Sequence, residues 1–385
     1  MRRGFWGVAF AFGATMLGTT LPTPLYPLLQ HEYGFGELVS TVLYAVYALG
    51  VIAALLLFGH ASDVIGRRRV LLAALACAAL SAVAFLSGAG LAALLIGRVL
   101  SGLSAGLVTG TATAALGDLG RDRHHAGLVA TVANMFGLGC GPLLSGVLAT
   151  TAPDPLHLPF LAHLALLVPA AVAVWRAPEP VPARPGARLR IDRPTVPAEV
   201  RPVFLPAATA MFAIFAVFGL AAAVEPSLLV RLLDVRSPVV PGAVVFAMFA
   251  ASAAGQVASR RLRTSRALSL GCAIVLVGII GFATALATES AAVLAAATVV
   301  IGAGQGVAFR AAIAAIGDRA PADRRAGTMS GFFVVVYAGI SLPVVLAGAA
   351  SVHWGLRASG LGFAAAVAVL IVVALTANSP QRTTR

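Results

Sequence analysis

Long uncharged stretches, separated by short charged segments, are the feature that most restricts how this chain can fold. Residues 39–58 and 70–96 contain no charged side chain, whereas the segment between them, residues 59–69, contains one aspartate and three arginines. A helix of about 20 residues crosses a hydrocarbon core of about 30 Å, so each stretch is long enough to span a membrane. Residues 59–69 are therefore predicted to be a water-exposed loop between two membrane-spanning helices.

Twelve such helices are predicted, which makes the fold an all-α integral membrane protein. Their approximate bounds are residues 5–29, 37–59, 70–88, 90–116, 125–150, 157–175, 202–228, 238–258, 267–287, 291–316, 327–350 and 357–377. The first stretch superficially resembles a secretory signal, but it is too long and has no convincing cleavage site, so we interpret it as the first span.

The composition agrees with a membrane protein and argues against other classes. Hydrophobic residues make up 59% of the 385 residues and charged residues 11%, against about 25% charged in soluble domains. The formal charge of +13 does not indicate nucleic acid, because the chain has no lysine and almost all of its 27 arginines lie between apolar stretches. The expected partner is a lipid bilayer, not nucleic acid.

The sequence shows no pattern typical of catalysis, metal binding or a cofactor. It has no phosphate-binding glycine loop, no nucleophile elbow and no cluster of histidines and carboxylates. Cys77, Cys140 and Cys272 stand alone inside apolar stretches, which favours buried thiols over disulfides or metal ligands. We therefore expect neither an enzyme nor a metal or cofactor site.

The distribution of arginine predicts the orientation. Twenty-two arginines fall on the side of the N-terminus, three lie on the other side, and Arg98 and Arg310 fall within spans. Because cytoplasmic loops are enriched in basic residues, both termini are predicted to lie in the cytoplasm, with the chain in the inner (cytoplasmic) membrane of a cell.

Two six-helix halves are predicted, at residues 1–176 and 202–385, joined by a solvated linker rich in proline and arginine at residues 177–201. The Gly-Asp pair at 117–118 recurs at 317–318, each time at the end of a span on the cytoplasmic side. An even number of spans separates the two pairs, so the halves are related by an axis along the membrane normal, as in transporters with two parallel six-helix halves.

Three short patterns lie in the first half. They are Gly59-x-x-x-Asp63-x-x-Gly66-Arg67-Arg68 after span two, Leu94-x-x-x-Arg98-x-x-Ser101-Gly102-x-x-Ala105-Gly106 in span four, and Gly137-x-x-x-Gly141-Pro142-x-x-Ser145-Gly146 in span five. Together they resemble motifs A, B and C of the major facilitator superfamily, and the third is similar to the signature of its drug-proton antiporter branch. The resemblance implies a transporter with a substrate site near the midplane between the halves.

The resemblance also implies a gating latch at the loop 59–69. In the family the aspartate that matches Asp63 faces the N-terminus of span eleven, where the helix dipole favours an anion. The arginine that matches Arg67 pairs with an acid at the end of span four, which here is Asp118. Gly59 and Gly66 provide the tight reversal. Anchoring by positive charge alone is the alternative, and it does not explain the aspartate or the glycines.

Arg98 is a candidate for the wall of a cavity. It lies about 12 Å into span four when counted from Gly90, which is too deep for easy escape to the surface. A central arginine costs about 2.5–3.5 kcal/mol to insert, so it needs a partner or a wet cavity. A role in proton-linked rearrangement is a further hypothesis for this side chain.

Other residues are candidates for the cavity, for proton coupling or for shape. For Arg310, partial snorkelling and a substrate or gate role are both open, and Glu225 is the best acid for proton coupling unless it lies at the interface. Polar cavity candidates are Tyr26, Tyr44, Asn134, Gln305 and Tyr337, each of which can alternatively form a helix-helix hydrogen bond. The shape candidates, which the resemblance links to export and to the seal between the halves, are Gly137, Gly141, Pro142 and Gly146.

The favoured function is proton-coupled efflux of a small, amphipathic, drug-like compound by a monomer that works by alternating access. Few buried cations are expected in the cavity, which favours an amphipathic or weakly polar solute over a strongly anionic one. Uptake or facilitated diffusion of a sugar or other metabolite is the alternative within transport. A non-transporting membrane receptor is the alternative of another class.

Overall fold

Helices form nearly all of the described structure, which comprises residues 2–181, 194–321 and 324–378 of a computed structural model, and those residues contain no strand. The first half consists of α1 (Arg2–Thr20), α2 (Tyr26–Tyr33), α3 (Glu37–Phe58), α4 (Ala61–Ile65), α5 (Arg67–Leu86), α6 (Gly90–Leu119), α7 (Arg123–Thr151) and α8 (Leu158–Arg176). The second half consists of α9 (Arg201–Ala223), α10 (Glu225–Ser227), α11 (Val239–Ala258), α12 (Thr264–Thr288), α13 (Ala291–Arg319) and α14 (Arg325–Asn378). Residues 182–193 of the predicted linker lie outside the described residues.

Eleven helices of the described chain are long and apolar enough to cross a membrane, and the last of them makes two crossings. A continuous helix of the 54 residues of α14 would be about 81 Å long, far more than the hydrocarbon core. Gly355 interrupts α14 with a φ of 76° and a ψ of 164°, values that a helix does not contain. Residues before and after Gly355 therefore form two spans, and the prediction of a twelve-helix, all-α membrane fold is confirmed.

Two predicted spans and one predicted loop differ in detail, for reasons of backbone chemistry. Span one is divided between α1 and α2 by a 3-10 turn at Thr23–Leu25, where prolines interrupt the helical hydrogen bonds. Span seven ends at Ala223, and after α10 the chain forms a π-helical turn at Leu228–Leu232. The loop 59–69 is not wholly irregular, because it contains α4 and because its arginines already belong to α5.

Glycines set the positions at which the two halves meet. A Cβ at Gly242 of α11 would lie 2.3 Å from the carbonyl oxygen of Pro142 on α7. A Cβ at Gly146 of α7 would lie 2.5 Å from the carbonyl oxygen of Pro238, just before α11. On α14, a Cβ at Gly348 would lie 2.2 Å from the hydroxyl of Thr41 on α3. These contacts lie toward the end of α7, at Thr151, and the beginning of α3, at Glu37. We name this side of the bundle the opposite face. The side where α1 begins is named the arginine-rich face.

Candidate functional site: a cavity between the halves

A cavity of about 540 Å³ lies between helices of both halves. Its lining combines aromatic rings with hydroxyl and amide groups. The polar members are Thr19, Thr20, Tyr44, Tyr47, Arg98, Thr109, Thr113, Thr131, Asn134, Gln256, Gln305 and Tyr337. The phenylalanines are Phe12, Phe215, Phe218, Phe249, Phe309 and Phe333. Such a mixture suits a ligand with an apolar body and a few polar groups.

Arg98 lies in the wall of this cavity and is only 2% exposed. Its Nε donates to the carbonyl oxygen of Leu43 at 3.1 Å, and its Nη1 donates to that of Thr19 at 2.7 Å. The guanidinium also stacks near the ring of Tyr47, 4.8 Å from the centroid, where the π-electrons attract a cation. Among the described ion pairs none involves Arg98, so backbone dipoles and aromatic faces hold its charge.

The opposing wall is organised around Ser252 of α11. Its hydroxyl donates to Oε1 of Gln305 at 2.6 Å, and it lies 3.5 Å from Nε2 of Gln256. Asn134 of α7 faces the same space, and its buried Oδ1 has no hydrogen-bond partner in the described structure. Tyr47 and Tyr337 approach each other across the halves, with ring centroids 6.5 Å apart. The cavity is therefore bridged by groups that can donate to or accept from a polar ligand.

The structure places most, but not all, of the predicted cavity residues in the lining. Tyr44, Asn134, Gln305 and Tyr337 line it together with Arg98. Tyr26 does not: its side chain is 1% exposed and lies just after the 3-10 turn, among the segments that close the opposite face. A role of Tyr26 in the cavity or in coupling stays a prediction.

Arg310 lies beside a second, smaller cavity of about 350 Å³ at the arginine-rich face. This cavity shares Gly127, Thr131 and Gln256 with the central one, so the two adjoin. The Nε of Arg310 donates to the hydroxyl of Ser259 at 2.9 Å, whereas its Nη2 is buried and has no described partner. The side chain thus has hydrogen-bonding capacity left for a ligand.

The opposite face is closed by a polar network that sequence reasoning missed. Nε2 of Gln30 donates to Glu37 at 3.0 Å and to Ser40 at 2.7 Å, and Arg231 of the second half donates to the amide oxygen of Gln30. Gln30, Glu37 and Ser40 are all buried. The only signal in the sequence was that an amide, Gln30, and an acid, Glu37, flank the connection between the first and second spans.

Glu225 is buried behind this network and does not line the cavity. Thr298 of α13 lies within hydrogen-bond distance of both carboxylate oxygens, at 2.9 and 3.1 Å. The same hydroxyl lies 2.9 Å from the carbonyl oxygen of Leu294. Since a hydroxyl has one proton and a carbonyl can only accept, the arrangement accommodates a proton on Glu225.

At the arginine-rich face, Arg67 connects the loop to α6. Its guanidinium lies 2.6 Å from Asp63 and 3.3 Å from Asp118, and it also donates to Ser62. The side chain of Asp63 is half exposed, and its ion pair lies within the first half. The contact of Asp63 with the start of span eleven stays a prediction, as does the gating role of Gly59 and Gly66.

Glu179, at the start of the linker, caps the N-terminus of α5. Its carboxylate accepts the backbone N–H groups of Arg67 at 2.9 Å and of Arg68 at 3.0 Å. Gly66 has a φ of 100°, and a Cβ there would lie 2.8 Å from the same carboxylate. Sequence reasoning treated this acid as part of a solvated linker and missed the contact.

The glycines and proline of the third pattern act at two contacts of α7. Gly137 and Gly141 face the backbone of α1, where added Cβ atoms would lie 2.5 Å from Gly13 and 2.2 Å from Leu17. Pro142 and Gly146 face the second half near Gly242 and Pro238. One side of the motif therefore packs against α1 in the first half, and the other side packs against the second half.

The fold agrees with a comparison of the sequence against known families. The sequence model described as Major Facilitator Superfamily matches residues 8–342. The chain belongs to this superfamily. As a major facilitator protein it is a transporter rather than an enzyme, and it crosses a membrane many times.

Curated relatives cover part of the chain. It is 29% identical to the tetracycline resistance protein, class H, of Pasteurella multocida over 161 residues, which are 40% of this chain and 39% of that protein. It is 32% identical to the class G protein of Vibrio anguillarum over 154 residues, or 40% and 38%. The chain thus spans about two fifths of the length of these relatives, at modest identity.

Solved structures share the fold over nearly the whole chain. The human organic anion transporter MFSD10 (TETRAN) is 19% identical with a TM-score of 0.70, covering 98% of this chain and 99% of that one. The peptide transporter POT in complex with sulfate is 16% identical with a TM-score of 0.78, covering 97% and 94%. These likenesses establish the fold alone.

Proposed function

We propose that this protein exports small amphipathic compounds across the cytoplasmic membrane in exchange for protons, working as a monomer by alternating access. The observation that carries the proposal is the asymmetry of the cavity. Its lining extends along α6 as far as Ala114, about 6 Å before Asp118, whereas a buried network and glycine contacts close the other end. The concentration of arginine at the open end supports a cytoplasmic location for that face.

A cavity open to the cytoplasm is the state in which an exporter loads its substrate. The tetracycline resistance relatives support a drug-like substrate, and the aromatic and amide lining supports an amphipathic one. The predicted latch supports the gating: when the cavity closes on the cytoplasmic side, Asp63 is free to leave Arg67 and face span eleven.

Glu225 is the proposed proton carrier. It is buried between the central cavity and the opposite face, and Thr298 can hold it in either protonation state. An outward opening would bring water to it from the opposite face, where Gln30 and Arg231 now exclude solvent. Protonation from outside and release inside would then drive export.

The experiment is transport in proteoliposomes with an imposed pH gradient, using a panel of dyes and antibiotics. Glu225→Gln should abolish uphill transport driven by the gradient and retain exchange of substrate at equal pH. Glu289→Gln, an exposed acid paired with Arg357 at the same face, is the matched control. Unchanged gradient-driven transport by Glu225→Gln would remove this residue from the mechanism.

Facilitated diffusion is a second candidate, because no carboxylate lines the cavity in the described structure and α1 contains no acid. The same proteoliposomes distinguish the two. Substrate-evoked proton movement supports the antiporter. Equilibration of substrate without proton movement supports the uniporter.

A further inference from the structure

The charges along the path into the cavity are all of one sign. The charged side chains that line the smaller cavity at the arginine-rich face are Arg123, Arg260 and Arg310, and the one that lines the central cavity is Arg98. No carboxylate lines either space in the described chain. A water-filled path with low-dielectric walls focuses such a potential and concentrates ions of the opposite charge.

Nearby acids do not neutralise this path by direct pairing. Asp63 and Asp118, at the arginine-rich face, are paired with Arg67, which lines neither cavity. Asp122 adjoins the mouth in sequence, but its carboxylate caps α7 by accepting the backbone N–H groups of His124 and His125.

The partners of the mouth arginines leave room for an anionic ligand. Arg260 donates to Nε2 of His124 at 3.0 Å, so this imidazole accepts through Nε2 and is uncharged. Arg310 has one hydrogen bond, to Ser259, and a buried Nη2 without a described partner. A carboxylate or sulfonate fits a planar guanidinium and would satisfy this orphaned donor.

The remainder of the path suits an aromatic body. Phe215, Phe309 and Phe333 line the central cavity beyond Arg310, and their rings pack with centroids 5.5 to 6.5 Å apart. A flat apolar group can extend this cluster by offset or edge contacts. One end of the path therefore binds an anion and the rest binds a ring system.

We propose that the substrates of this transporter are amphipathic organic anions, with a carboxylate or sulfonate head and an aromatic body, which the arginines of the mouth select. This inference rests on the proposed transport function and specifies its substrate class. It differs from the sequence prediction of a weakly polar solute, because Arg123 and Arg260 come from helix ends and reach the path only in the folded bundle.

The test compares three probes with the same pyrene body and a sulfonate, a neutral amide or a trimethylammonium head. Equilibrium binding to the full chain in lipid nanodiscs is followed by fluorescence at two salt concentrations. We expect the sulfonate to bind at least tenfold more tightly than the other two, with a difference that shrinks at high salt. Equal or tighter binding of the ammonium or amide probe would overturn the proposal.

Variants connect the selectivity to the mouth. Arg310→Gln should weaken binding of the sulfonate about tenfold or more, since a hydrogen bond to a charged group is lost, and should leave the amide probe unchanged. Arg310→Lys should restore part of the affinity. The control Arg261→Gln removes an exposed arginine next to Arg260 that lines neither space. Loss of all three probes in Arg310→Gln, with lysine giving no rescue, would contradict selection by charge.

The binding assay separates this inference from the proposed function. Tight sulfonate binding without proton movement in proteoliposomes would contradict the antiporter proposal and support the anion site. Proton-coupled transport of the ammonium probe alone would support the antiporter proposal and contradict the anion site.

Discussion

The two ends of the bundle are held in different ways. At the opposite face, glycines bring the backbones of the halves together, and Arg231 reaches the buried amide of Gln30. At the arginine-rich face, the ion pairs of Arg67 lie within the first half, and Arg260 meets His124 in an exposed contact between the halves. The opposite face is closed by packed backbones and a buried hydrogen bond, whereas the contacts of the arginine-rich face are ion pairs and a hydrogen bond exposed to water.

This difference indicates which contacts set the balance between the two states. Exposed ion pairs contribute about 0–1 kcal/mol each and exchange partners readily. Close packing and buried hydrogen bonds contribute more, and they are lost together when the halves separate. The seal at the opposite face should therefore dominate the free-energy difference between the two conformations.

The largest effect is expected from breaking the packed seal. Gly242→Ala places a Cβ against the carbonyl oxygen of Pro142, and overpacking of this kind costs about 1–3 kcal/mol. A Thr20→Cys reporter in a background without the native cysteines should then react faster with an impermeant thiol reagent applied at the opposite face. Gly117→Ala, which has open space around it, should leave this rate unchanged. Equal rates in the two variants would mean that the glycine contact does not hold the face closed.

The next largest effect concerns the buried network. Arg231→Gln removes a charged donor from Gln30, and such bonds contribute about 1.5–3 kcal/mol. Labelling of the same reporter from the opposite face should rise about tenfold or more. Arg236→Gln removes a highly exposed arginine, paired with Asp234 in the same connection, and serves as the control. A rise of the same size in the control would assign the effect to loss of surface charge.

A smaller effect is expected from the cap of α5. Glu179→Ala leaves the N–H groups of Arg67 and Arg68 without their carboxylate, at a cost of about 1 kcal/mol. Hydrogen exchange of residues 66–70 should accelerate about fivefold, whereas Glu199→Gln, an exposed acid before α9, should not change it. Unaltered exchange in Glu179→Ala would show that the linker does not hold the loop.

The smallest effect is a pH dependence at the start of α7. The backbone N–H of His124, with that of His125, holds the pKa of the Asp122 carboxyl below its usual range. Because the pKa is lowered on folding, the stabilisation is present above the unfolded pKa and is lost as the pH falls through the folded one. The protection of the His124 and His125 N–H groups from hydrogen exchange, relative to an unstructured peptide at the same pH, should therefore fall below about pH 4. Asp122→Asn retains a capping oxygen that does not titrate, so its exchange should lack this step.

Sequence reasoning reached local features more readily than long-range ones. The depth of Arg98 in its span followed from counting residues, and the second crossing of α14 followed from the break in the apolar pattern near Gly355. The carbonyls that hold Arg98 come from Thr19 and Leu43 on two other helices. No local pattern marks a backbone carbonyl as the partner of a distant arginine.

Two functional contacts were missed because they join residues far apart in the chain. Gln30 and Arg231 are separated by 201 positions, and neither lies in a recognisable motif. Glu179 lies in a stretch whose proline and arginine content predicted solvation, yet its carboxylate fits the end of α5. Tyr26 illustrates a related limit of local patterns: a polar ring in a span indicates burial but does not say which space it faces.

The amino-acid sequence alone determined the number of spans, the predicted orientation and the resemblance to one transporter family, because these depend on apolar length, on arginine placement and on short motifs. The tertiary structure decided which end of the bundle is closed, which polar groups face the cavity, and that the cations at its mouth stand together without acids among the described residues. These properties depend on how helices rotate and approach one another, and packing between distant segments sets both.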